Sequence, residues 1–392
     1  MWEQCKDIQS YLVKARRELH EIPELGKDLP KTSEYIAKEL DRMGIKYKRN
    51  IKDSGIIALI EGRNSDKVIA LRADMDALPI KEETGLDFAS TNGNMHACGH
   101  DSHAAMLLGA AEILNKNKDK LNGTVKLIFQ TAEETAEGAE VMIEEGALEN
   151  PKVDVLVGLH IGSIYGAKVK LGQAGIVPGN IMASYDKFIL KVKGKGCHGS
   201  TPEKGIDPIT IATNIVNAIQ TIVSREISAT KPAVITIGKI NGGFAYNIIP
   251  DIVEMEGTIR ATEEEIRQLL SSRIEKVSKD IAEAMNGKCE YEIVLGAPPV
   301  VNDKEVTAMV IESAKKVLGD EGVVSEFDAP NMGGEDIAHY LNKVPGTFFF
   351  LGSNNPKKHT DIPHHNPKFD IDEDVMWKGS AIFVQSVCDY LK

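Results

Sequence analysis

Between residues 54 and 160 short β-rich runs repeatedly give way to stretches with helical spacing. SGIIALIEG (54–62), KVIALRADM (67–75), GTVKLIFQ (123–130) and VDVLVGLH (153–160) read as strands, whereas DSHAAMLLGAAEILNKN (101–117) and TAEGAEVMIEEGAL (135–148) read as helices. Strands separated by helices suggest an α/β layer around a largely parallel sheet. Two more helix-spaced segments, 5–20 and 31–43, come first, joined by HEIPELG with the Pro and Gly of a turn.

From about residue 182 the rhythm changes. ASYDKFILKVKGK alternates apolar and polar residues as a half-exposed strand does, and the order that follows is β-α-β-β-α-β, the split βαβ pattern of a small self-contained domain. Its second helix is expected to open on Thr262 as N-cap with Glu265 three residues on. After residue 295 the α/β character returns with EVTAMVIESAKKVLG and GTFFFLG. At 392 residues the chain is long enough for two cores. The expected architecture is an α/β domain, 1–181 and 295–392, into which an α+β domain, 182–294, is inserted.

Composition narrows the partners. A formal charge of −12 with no Lys/Arg cluster argues against nucleic acid, and no apolar run is long enough for a bilayer, so no membrane partner is expected. The first 21 residues are charged and helix-patterned rather than leader-like, which makes a cytoplasmic protein the expectation. Five scattered cysteines do not form a disulfide framework. A small-molecule or peptide ligand remains, along with further copies of the chain.

Three expected strands end in side chains that bind metals or move protons: Asp74 and Asp76, then Glu133 and Glu134, then His160. Ligands of open α/β sheets bind beyond the carboxyl ends of the strands, so one sheet could gather all five. Between the first two of these strands lies NMHACGHDSHAAM (94–106), where Cys98 and His100 stand on a loop before a helix and Asp101 suits its first turn. Thiolate, imidazole and carboxylate together favour Zn, Co, Ni or Mn over Ca or Mg. Taken singly, His20, His96, His103 and His339 read as structural or surface residues, and Cys5, Cys197, Cys289 and Cys388 as small core or surface thiols. No second cysteine stands near Cys98 to make it a redox pair. The adjacent acids Glu133 and Glu134 could supply both a metal ligand and a free base, or merely open a helix. His359, His364 and His365 offer one more ligand near the C-terminus, and spacing alone does not choose among them.

The set IPELG, LRADMDALP, MHACGHDSH, FQTAEE, GLH, NIIPDIVEMEGTIR, MGGEDIAHYL and HHNPKF, in this order over nearly the whole chain, resembles the M20 metallopeptidase family. The resemblance is to its amidohydrolase branch of hippurate hydrolases, auxin-amino acid conjugate hydrolases and N-acetyl-diaminopimelate deacetylases. It implies two divalent metal ions per subunit (Zn, Mn, Co or Ni), held by Cys98, His100, Glu134, His160 and, through the pattern His-x-Pro-x-Phe, His365 rather than His364. Glu133 then looks like the general base and Asp74 like a second catalytic residue, with Asp76 or Asp101 orienting a ligand. His198, Asn247, Gly333, Gly334 and Glu335 match substrate-binding positions. The chain departs from the family pattern at Thr131, where Pro is usual, and at AEGAE and GCHGS, all around the pocket.

The resemblance also makes the α/β domain catalytic and the inserted 182–294 domain its lid, and the implied reaction is hydrolysis of an N-acyl amino acid to a carboxylic acid and a free amino acid, in a homodimer or homotetramer built through that lid. A di- or carboxypeptidase of the same family, or a non-catalytic binder of acylated amino acids or peptides, are the alternatives.

Overall fold

Every residue of the strand Val68–Asp74 is buried, as a strand needs to be when both faces of its sheet are covered. The computed structural model describes residues 1–49, 54–63, 67–164 and 168–392, and contacts divide them into two units. In the first, the strands Thr124–Gln130, Val68–Asp74, Val155–Gly162 and Gly346–Gly352 lie side by side and parallel. Antiparallel additions flank them: Ile56–Glu61 and Lys46–Arg49 on one side, Ala174–Gly175 on the other, with Val323–Val324 outermost. The expected largely parallel α/β sheet is therefore present, with edge strands of two to six residues added to it.

The helix His100–Lys116 is buried through Leu114. Gly109 gives the helix Gln9–His20 room to approach it, since a Cβ there would sit 2.3 Å from the Leu12 side chain. Two expectations shift. The helix expected over 135–148 shortens to Gly138–Glu144, because Ala132 and Ala136 take left-handed backbone at φ 55° and 59° to turn the chain off its strand. His100, expected on the loop, is the first residue of its helix.

The second unit comprises Met182–Val300 with Pro330–Glu335. Its sheet runs Ala233–Gly242, Ile252–Ala261, Ser184–Lys193, Lys288–Leu295, antiparallel throughout. The helices Pro208–Glu226 and Glu264–Ala284 bury Ile211, Ile215, Leu270 and Ile274 against Phe188, Leu190 and Met255. Residues 330–335, placed in the first domain on sequence, group here because the carbonyls of Asn331 and Gly333 accept the Ala183 amide at 2.9 and 3.0 Å. Thr262 does not cap its helix, which starts at Glu264. Its hydroxyl turns instead to the Pro232 carbonyl at 3.5 Å.

One buried ion pair holds this unit together internally. Arg267 grips Asp186 with Nε at 2.8 Å and Nη2 at 2.6 Å, and the Gly296 amide adds a third bond to that carboxylate at 3.0 Å. Arg267→Met strands a buried carboxylate and is expected to cost about 3 kcal/mol. Urea unfolding monitored in this unit checks it; an unchanged midpoint would mean that solvent reaches Asp186.

Candidate metal centre

Three strand ends come together at the carboxyl edge of the parallel core. Asp74 pairs in register with Gln130, and Arg72 with Gly158, two residues before His160. Asp74 is present as expected, with both oxygens engaged: Arg72 Nη1 donates to Oδ2 at 2.6 Å and His103 Nδ1 to Oδ1 at 2.5 Å. Burial opposes its charge, but His100, Arg72 and His103 outweigh burial and hold the carboxyl well below its ordinary value. His103 Nε2 accepts the Ile161 amide at 2.9 Å, so its proton sits on Nδ1, toward Asp74.

Gly99, at φ 89°, makes the turn between Cys98 and the helix that His100 begins. His100 Nδ1 donates to the Asp76 carbonyl at 3.0 Å, which leaves its Nε2 lone pair facing the site. His160 is set the same way: Nδ1 donates to the Ile161 carbonyl at 2.8 Å, and Nε2 lies 3.4 Å from Cys98 Sγ. Donation of one ring proton to a carbonyl is how a ligating histidine is oriented. Cys98, His100 and Glu134 offer ligand atoms within 4.8 Å of one another, and so do Cys98, His160 and His364.

The donor set fits a metal on the structure's own terms. His100 Nε2, Glu134 Oε1 and His364 Nδ1 are buried and lack hydrogen-bond partners. Each such orphan costs about 1–3 kcal/mol when left unmet, and sulfur, nitrogen and carboxylate oxygen together suit Zn, Mn, Co or Ni. Both C-terminal histidines reach this cluster. His365, at φ 62°, brings Nε2 to 3.4 Å from Glu134 Oε2, and bonds to Cys98 and Glu134 push its pKa up to about 10. The His364 ring packs against Gly162, where a Cβ would meet it at 2.2 Å, and desolvation of the ring drives its pKa down to about 3.

Glu133 and Glu134 leave their strand through the turn at Ala132, and the Asp76 carboxylate holds them by accepting their amides at 3.1 and 3.2 Å. Glu133 Oε2 lies 3.9 Å from His100 Nε2. Asp76 also stands 3.3 Å from His100 Nδ1, so the acid that orients a ligand-type residue directly is Asp76. Asp101, the other candidate, is bound instead to Arg16 and His20.

Within the second unit His198 pairs with Ile248, and its Nδ1 accepts the Ser200 amide at 3.1 Å, which leaves Nε2 to donate outward. The Gly199 amide donates to the Asn247 carbonyl at 2.8 Å, so His198 and Asn247 form one exposed patch. Gly333, Gly334 and Glu335 lie elsewhere in that unit. A Cβ at Gly334 would strike the Tyr185 ring at 2.0 Å, and the Arg260 guanidinium lies 5.2 Å from the centre of that ring. Arg260 is half-buried with no carboxylate in ion-pair range among the described residues. The sequence reading passed it over, although it closes the quoted GTIR. On sequence His103 reads as structural and His364 is set aside for His365, since adjacency to stronger candidates is not a specific signal.

An acidic pair beside a thiol–imidazole–carboxylate cluster, at the carboxyl edge of an α/β sheet, is the donor set of a metal-dependent hydrolase. The chain belongs to peptidase family M20/M25/M40, whose pattern matches residues 70–389. It is 40% identical to the N-acetyl-L-cysteine deacetylase of Bacillus subtilis (strain 168) over 381 residues, 97% of this chain and 88% of the relative. It is 41% identical to thermostable carboxypeptidase 1 of Saccharolobus solfataricus, over 96% of this chain and 94% of that one. A crystal structure of a dinuclear metal-binding M20 peptidase from Bacillus subtilis superposes with a TM-score of 0.83 at 35% identity, covering 98% of this chain and 99% of its own.

Asp76→Ala would leave two buried amides without an acceptor, at a cost of about 1–3 kcal/mol each. Faster hydrogen exchange at the Glu133 and Glu134 amides is the expected signature, and unchanged protection there would show that another group holds this turn.

Proposed function

We propose that the protein hydrolyses N-acyl amino acids, releasing a carboxylic acid and a free amino acid, with Glu133 as general base. The observation that carries this reading is the position of Glu133, fixed by Asp76 beside the buried orphaned ligand atoms of His100 and Glu134. The holders of two divalent ions (Zn, Mn, Co or Ni) are Cys98, His100, Glu134, His160 and His365, with His364 as a further donor. When bound, the ions supply Lewis acidity and bring the pKa of water toward neutrality. Glu133 takes the proton of the attacking water and returns it to the leaving nitrogen. Asp74, consumed by Arg72 and His103, positions the site rather than exchanging protons. The similarity to an N-acetyl-L-cysteine deacetylase supports an acylated amino acid as substrate.

Glu133→Gln is expected to keep the metal content by elemental analysis and to lose turnover by about 10²- to 10⁴-fold. Near-normal turnover would remove Glu133 from the role. Rates on N-acetyl and benzoyl amino acids against dipeptides separate this reading from a carboxypeptidase, the activity named for one relative.

His198 and Asn247 adjoin the Ile252 end of the strand Ile252–Ala261, and Arg260 stands at its other end, opposite Tyr185 beside Gly334. At about 3.3 Å per residue the two patches are roughly 25 Å apart, too far for one small amide to touch both. We assign His198 and Asn247 to the amide held by a second copy, in a homodimer or homotetramer built through this lid-like unit, whose edge strand Ala233–Gly242 exposes Val234 and Ile240. Mixing Glu133→Gln with His198→Ala is expected to restore up to about a quarter of wild-type activity, because half of randomly exchanged dimers carry one intact site. No recovery on mixing, with exchange verified by mass, would overturn the assignment. Free thiols suit a cytoplasmic setting, and among the described residues no helix is long and apolar enough to cross a membrane.

A further inference from the structure

A buried ionic cluster links the two loops that carry the proposed ligands, and the hydrolytic reading does not use it. Arg16, on the helix Gln9–His20, is 1% exposed and forks onto three carboxylates: Nε to Asp101 at 2.9 Å, Nη2 to Asp370 at 2.7 Å and Nη1 to Glu373 at 3.1 Å. His20, one turn further on, joins Asp101 at 2.7 Å to Glu82 at 3.2 Å. Glu82 also accepts the Ser90 amide at 2.7 Å, and the Arg16 and Arg17 guanidiniums lie over the Phe88 ring of the same loop at 5.1 and 4.7 Å.

The acids of this cluster belong to chain segments that also carry, or are bonded to, the metal centre. Asp101 follows His100 directly and accepts the Ser102 amide at 2.8 Å, inside the turn that sets Cys98 and His100. Asp370 comes five residues after His365. The Glu83 amide, next to Glu82, donates to the Pro367 carbonyl at 2.7 Å, so the 82–90 loop and the histidine loop are bonded to each other as well. Burying this much charge is a poor source of net stability, because desolvation offsets the attraction between the ions. What a three-armed guanidinium offers is a geometry, since its donors are planar and fixed relative to one another.

We infer that Arg16 and His20 are positioning residues of the metal centre, which hold the Cys98–His100 turn through Asp101 and the His364–His365 loop through Asp370 and Glu373. The inference rests on the metal reading given above. It extends that reading to an N-terminal helix that contributes no ligand.

The test is titration of the metal-free full chain with Co²⁺, following the thiolate-to-cobalt absorption of Cys98, with thermal unfolding run in parallel. Arg16→Lys keeps one charge but cannot fork. It is expected to bind Co²⁺ about 10- to 100-fold more weakly, the range for loss of a group that orients a ligand, and to alter the thiolate band. Asp370→Asn, at a side chain 19% exposed, removes one arm and is expected to weaken binding in the same direction; it decides the matter if Arg16→Lys does not fold. Leu190→Ala, in the other unit, is expected to lose thermal stability while Co²⁺ affinity stays at the wild-type value. Wild-type affinity and an unaltered band in Asp370→Asn and in folded Arg16→Lys would overturn the inference and leave the cluster a packing feature. A wild-type protein with no thiolate band that Cys98→Ser removes would instead overturn the metal reading, and this inference with it.

Discussion

The Arg72 guanidinium is fully buried in a central strand and donates to Asp74, to Gln130 and to Asp336, three groups from three stretches of chain. Its position makes the carboxyl edge of the sheet a polar floor inside an apolar core. Asp74 then passes the arrangement on to His103, and His103 to the Ile161 amide, which neighbours His160. Asp336 passes it to the Ala139 amide at 2.9 Å, at the start of the short helix after the acidic pair. A charge buried this deeply persists only where every donor is met, so the alignment of the three strand ends and the satisfaction of Arg72 are one condition.

On that floor the site is built from backbone as much as from side chains. His100 and His160 each give a ring proton to a carbonyl, so these two proposed ligands are aimed by main-chain atoms that no substitution removes directly, whereas the amides of the acidic pair depend on the Asp76 side chain. The departures from the family pattern around the pocket also find physical places. Gly138, in AEGAE, lies so close to the Thr131 carbonyl that a Cβ would stand 1.6 Å from it. The turn carrying Glu133 and Glu134 therefore tolerates no side chain at that position.

Much of this was legible in one sequence. Strand ends tipped with Asp74, the Glu133–Glu134 pair and His160 are short-range signals, and the rule that parallel sheets bind at their carboxyl edge converts them into a site. Other features were not legible. That both His364 and His365 reach the cluster depends on a left-handed residue at 365 and on the room left by Gly162. Thr262 has the look of a helix cap, yet the Pro232 carbonyl, distant in sequence, draws its hydroxyl away. Arg260 gave no periodic or motif signal of its own, because only the fold shows that the nearby Asp186 is gripped by Arg267 and that no carboxylate among the described residues is in ion-pair range of Arg260.

Hydrophobic period and turn residues, both local properties, determined by themselves that this chain is an α/β fold interrupted by a β-α-β-β-α-β unit, with Cys98, His100, the Glu133–Glu134 pair and His160 as metal-compatible candidates. Only the tertiary structure decided which groups Asp74, Asp76 and Asp101 serve. All three are short acids near a strand or helix end. Asp74 is spoken for by Arg72 and His103, Asp76 by His100 and the amides of the acidic pair, and Asp101 by Arg16 and His20. A carboxylate's role follows from the donors around it, and Arg16 lies 85 residues from Asp101 along the chain.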